Sequence, residues 1–110
     1  MHMAVETTAE GLLIRVEEAR IDAAAAIAFK EGVRQAALQP GSPVILDLSR
    51  VVFLDSSGLG AVVAVMKFLG PDRPLHLAGI TPNVAKVFRL TRMDSVFTIR
   101  PQAPTRAAAG

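Results

Sequence analysis

Residues 44–60 read Val44-Ile45-Leu46-Asp47-Leu48-Ser49-Arg50-Val51-Val52-Phe53-Leu54-Asp55-Ser56-Ser57-Gly58-Leu59-Gly60. Val44 to Leu48 is an almost unbroken apolar run, the pattern of a central strand covered on both faces. Val51 to Leu54 carries the chain on to a sharp break at Asp55-Ser56-Ser57-Gly58. Past the break, Leu59, Val62, Val63, Met66 and Leu69 or Gly70 fall on one helical face, and Gly70-Pro71 ends that helix. The apolar stripe is expected to pack on a sheet.

The flanks repeat the alternation. Upstream, Val5–Thr8 and Leu12–Val16 read as two short strands around a Glu10-Gly11 turn. Asp22 is placed to cap a helix running through Ala37, helped by the alanines at 23–26 and 28. Ala25 or Ala26, Phe29, Val33 and Ala36 or Ala37 give that helix one buried stripe, and Pro40-Gly41-Ser42-Pro43 stops it. Downstream, Leu75, Leu77 and Ile80 alternate with His76 and Ala78 as a further strand. Thr81 is the expected cap of a short helix with Pro82 in its first turn and Val84, Val87, Phe88 and Thr91 on one face. Val96, Phe97 and Ile99 form a terminal strand. Residues 1–2 read as a cloning remnant, 3–100 as one domain and 101–110 as a flexible tail. The order β-β-α-β-α-β-α-β implies parallel crossovers with an opening hairpin, an α/β mixed sheet.

Composition sets the limits. The chain has 110 residues, 51% hydrophobic and 20% charged, enough to bury a core in a single domain. It has no cysteine, which removes disulfides, thiolate metal sites and cysteine nucleophiles. It has no Trp or Tyr, and the five Phe lie in apolar runs that read as core, so the stacking surfaces used on single-stranded nucleic acid are nearly absent. Residues 1–55 carry eight acids and five bases, residues 56–110 two acids and seven bases. No basic cluster is dense enough for direct nucleic-acid contact. The longest apolar stretch after the glycine-rich turn, Ala61–Met66, is far short of a membrane span, and no secretory signal precedes the domain. A cytoplasmic location is expected.

Enzyme signatures fail on inspection. His76 is the one histidine outside the remnant, in a strand where alternation makes it a sheet-face residue, so a Ser-His-Asp triad has little to build on. Gly-x-Ser-x-Gly is absent. Gly58 and Gly60 begin a dinucleotide pattern that breaks at Val63, and the Walker pattern is missing. No cluster of His or carboxylates has metal-ligand spacing, and no cofactor is implied.

The hexamer Asp55-Ser56-Ser57-Gly58-Leu59-Gly60 remains. Small hydroxylated residues and glycines at a helix entrance cap it and let backbones pass closely. The same geometry suits modification. With Asp55 as the cap, Ser56 falls in the first turn, where unpaired N–H groups and the positive end of the helix dipole tolerate a phosphate. That phosphate adds about −1.5 to −2 charges to a docking surface.

Val44–Met66 resembles the signature of the STAS family, anti-sigma factor antagonist type. So do Gly79-Ile80-Thr81-Pro82-Asn83-Val84, Val87-Phe88, Met93-Asp94 and the Ile21-Asp22 pair, a likeness over about residues 5–100. It implies a mixed sheet with helices mainly on one side, and a partner-switching regulator of transcription rather than an enzyme. By this resemblance an anti-sigma factor with GHKL-type serine kinase activity phosphorylates the first motif serine, here Ser56. The unphosphorylated form captures that kinase, the phosphorylated form is released, and a PP2C-type phosphatase resets it. Asp55, Ser57, Gly58, Leu59 and Gly60 belong to the motif, and Arg50, Ser57 and Gly58 are the expected partner-facing residues. The other role within the family is a non-switching STAS subunit of an ABC-type lipid transporter. Two positions depart from the pattern: Glu17-Glu18-Ala19-Arg20 stands where a glycine is usual, and Arg92 replaces a small residue after the third helix.

Overall fold

The computed structural model describes residues 1–104. Its strands are β1 (Met3–Thr8), β2 (Gly11–Val16), β3 (Arg20–Ile21), β4 (Val44–Asp47), β5 (Phe53–Leu54), β6 (Leu75–Ala78) and β7 (Thr98–Arg100). Its helices are α1 (Ala26–Ala36), α2 (Ser56–Leu69) and α3 (Pro82–Leu90), with a 3-10 turn at Met93–Ser95. The main sheet runs β1-β2-β4-β6-β7. The β1–β2 hairpin is antiparallel and the other pairs are parallel, each of these joined through a helical crossover.

Register shows why the chain alternates as it does. Ile14, Leu46, Leu77 and Ile99 lie abreast across four strands. This row and its neighbours Leu12, Val44 and Leu75 join Phe29 and Val33 of α1, Val62 and Val65 of α2, and Val84 and Phe88 of α3 in one core. All three helices therefore cover the same sheet face. The opposite face carries a much smaller cluster, Leu13, Ile45 and Ala78, with Ala103 against it. Each fully buried Leu, Ile or Phe contributes about 1.5–3 kcal/mol.

Several local expectations are revised. α1 starts at Ala26; residues 23–25 form a turn closed by Asp22, whose Oδ1 accepts from the Ala25 N–H at 3.1 Å. In α2 the fully buried residues are Gly58, Ala61, Val62 and Val65, while Leu59, Val63, Met66 and Leu69 are half-buried. α2 is apolar around most of its circumference, so spacing alone does not say which side meets the sheet. Phe53 and Phe68 are exposed, and so is Val96. Phe97 is buried, its ring 5.6 Å from that of Phe88, and β7 begins only at Thr98. Thr81 occupies the cap position of α3 but its hydroxyl donates to the Val51 carbonyl at 2.7 Å. Of the stretch expected as a tail, residues 105–110 lie outside the described residues.

Candidate functional site

The hexamer sits where a second, two-stranded sheet meets α2. β3 and β5 pair in parallel, Arg20 beside Phe53 and Ile21 beside Leu54. A two-residue strand such as β3 has too little pattern to be legible in the sequence. Beyond these pairs the two chains continue into Asp22 and Asp55.

Asp55 is extended (φ −97°, ψ −174°) and caps α2: Oδ1 accepts from the Gly58 N–H at 2.8 Å. Its Oδ2 accepts from the Ala23 N–H at 3.1 Å, so one carboxylate ties the start of α2 to the turn before α1. Asp22 closes that turn and meets Arg20 Nε at 3.4 Å. Gly58 is buried because the Ile21 carbonyl lies against it; a Cβ there would stand 2.0 Å from that oxygen. Gly58, expected both in the cap and at the partner face, is buried, and its N–H is the one that the Asp55 carboxylate caps.

Ser56 and Ser57, the first two residues of α2, are exposed. Neither hydroxyl donates or accepts a hydrogen bond among the described residues. Leu59 is half-buried, and Gly60 is exposed with open space where a side chain would go.

Arg50 is exposed on the β4–β5 connection and reaches Glu17 Oε2 at 3.5 Å. That brings it against the Glu17–Arg20 segment, whose Ala19 carbonyl accepts from the Val52 and Phe53 N–H groups at 2.8 and 3.2 Å. The connection is held from its other side by the Thr81 hydroxyl on Val51 and by Asn83 Nδ2 on the Val52 carbonyl at 3.3 Å. Thr81 and Asn83 thereby tie the start of α3 to the segment that leads into the hexamer. Val52 and Phe53 stay exposed on this edge, the Arg20 guanidinium stacked 4.1 Å above the Phe53 ring. Sequence reasoning missed this pair; the signal was an aromatic directly before the motif.

His76 lies on the helix-free sheet face, away from the serines. Its Nδ1 accepts from Arg100 Nε at 3.2 Å, and Arg100 in turn meets Glu10 Oε1 at 2.6 Å. Partial burial, and then the Arg100 charge, hold its pKa below the usual 6.5. Among the described residues no group of three or more His, Asp or Glu could hold a metal ion, and no helix is long and apolar enough to cross a membrane.

The STAS domain model matches residues 2–106. An anti-sigma-B factor antagonist of Listeria monocytogenes is 30% identical over 81 residues, 73% of this chain and 71% of that protein. An anti-sigma factor antagonist from Mycobacterium paratuberculosis superposes with a TM-score of 0.79 at 26% identity, covering 92% of this chain and 86% of the other. A STAS domain protein from Planctomyces limnophilus shares the fold with a TM-score of 0.80 at 21% identity over 92% and 91% of the two chains. A mixed five-stranded sheet helix-covered on one face, an Asp-Ser-Ser-Gly turn at the head of α2, and these likenesses agree: the chain belongs to the STAS domain family, of the anti-sigma factor antagonist type.

Proposed function

We propose that this chain is a partner-switching regulator whose state is written on Ser56. Unmodified, it binds an anti-sigma factor with GHKL-type serine kinase activity and so frees a sigma factor. Phosphorylated on Ser56, it lets go, and a PP2C-type phosphatase restores it. The observation that carries this reading is the exposed Ser56 hydroxyl, without a hydrogen-bond partner among the described residues, on a turn fixed from both sides by the Asp55 carboxylate. A kinase can reach it without unfolding anything. Ser57 is exposed as well, and the choice of Ser56 follows its place as the first serine of the family motif.

The surroundings support a charge switch. Asp55 and Asp22 are already acidic, and the nearby Arg20 and Arg50 are engaged with Asp22 and Glu17. A phosphate bringing about −1.5 to −2 charges would dominate this edge. An apposed surface that accepted Val52 and Phe53 beside a neutral hydroxyl would face an unpaired dianion, at a cost of several kcal/mol if desolvated.

Incubation with the kinase and ATP, followed by peptide mass spectrometry, tests the reading. One phosphate on Ser56 is expected, with none on the Ser56→Ala variant. Labelling of Ser57 instead, or of no serine, would overturn it.

A further inference from the structure

We infer that the outward face of α1 is a self-association surface, through which two copies of this chain pair with their α1 helices antiparallel. The inference is independent of the Ser56 reading.

The inner side of α1 is spent on the core through Phe29, Val33 and Ala36. Its outer side carries Ile27, Glu31 and Arg34, followed by Leu38 in the turn that continues the helix. At 3.6 residues per turn these four positions fall within an arc of about 60°. Ile27 is 71% and Leu38 77% exposed, among the most exposed large apolar side chains described. Glu31 and Arg34 are exposed and take part in no ion pair among the described residues.

The order along the stripe is apolar, acidic, basic, apolar, and it is symmetric about a point midway between Glu31 and Arg34. In a two-fold contact, residue i meets j while j meets i. An antiparallel α1 pair centred on that point sets Ile27 against the other copy's Leu38, and Glu31 against its Arg34, each twice. A parallel pair would put like charges together. The charge pattern therefore selects a second copy as occupant and fixes its direction.

Two contacts hold the stripe in shape before association. The Arg34 guanidinium lies 5.3 Å over the exposed Phe68 ring of α2, which steadies its planar face and leaves its N–H edge free to donate. The turn bearing Leu38 is pinned by Arg73, which donates to the Ala37, Gln39 and Gly41 carbonyls. One helix pair buries a modest area, so the dimer belongs to the weak, transient class.

Sedimentation equilibrium on the intact chain tests this. The wild-type mass is expected to climb from 11.6 kDa toward twice that value as concentration approaches about 1 mM. Glu31→Arg and Arg34→Glu, each opposing like charges twice, should weaken association at least tenfold. The double variant Glu31→Arg/Arg34→Glu re-forms opposite pairs and should associate more tightly than either single variant. Dilution-dependent amide shifts confined to α1, the turn through Leu38 and Phe68 in the wild type give a readout needing no variant. A wild-type mass fixed at 11.6 kDa throughout, single variants that associate like wild type, or a double variant no tighter than the singles would overturn the pairing.

Discussion

Two glycines separated by a single leucine do different work. Gly58 admits the Ile21 carbonyl to van der Waals distance, whereas Gly60 faces open space. Gly58→Ala should therefore cost about 3 kcal/mol, since neither the helix nor the β3 backbone can yield cheaply. Gly60→Ala should gain up to about 1 kcal/mol from helix propensity. Urea unfolding of the two variants checks the contrast, and equal effects would mean that the motif glycines share one role. His76 gives a second expectation. Its folded pKa lies below 6.5, so the unfolded chain takes up a proton first as the pH falls. Stability is unaffected well above 6.5, declines as the pH drops from there toward the folded value, and levels off below it. An NMR titration of the ring should show the lowered midpoint, and His76→Gln should remove that part of the pH dependence. A midpoint at or above 6.5 would mean that Arg100 and burial do not act on the ring as described.

The main elements were legible because their signals are local. A nearly continuous apolar run at 44–48, alternation at 75–78 and proline-glycine stops at 40–43 and 70–71 each mark an element without help from the rest of the chain. The hexamer was legible for the same reason, since its residues are contiguous. Contacts set by register were hidden. β3 exists because Arg20 and Ile21 come to lie beside Phe53 and Leu54. Thr81 spends its hydroxyl on a carbonyl 30 residues away instead of on its own helix. One departure from the family pattern finds its cost here. Arg92, after α3, holds φ at 60°, the left-handed region that disfavours a residue with a Cβ. Arg92→Gly should stabilise the fold by about 0.5–1 kcal/mol in thermal or urea unfolding. A loss of stability would show that the arginine side chain makes a contribution larger than the backbone strain.

Taken together, the sheet divides the chain's tasks. One face carries three helices and nearly all of the core; the other has only a small apolar strip beneath the His76, Arg100 and Glu10 group. The Ser56 edge is braced by Asp55, Thr81 and Asn83, and its neighbouring arginines are paired. A braced turn whose arginines are already engaged is what a switch read by added charge requires: modification changes the potential while the scaffold stays put. The β1–β2–β4 half of the sheet and the hairpin would then serve as support.

The most direct measurement is a calorimetric titration of the anti-sigma kinase with three forms of the full chain: unmodified, phosphorylated on Ser56, and Ser56→Ala. Unmodified protein and Ser56→Ala should bind with affinities within about threefold of each other, and the phosphorylated form at least a hundredfold more weakly, a difference of about 2.7 kcal/mol. Equal affinity for all three forms would contradict the switch.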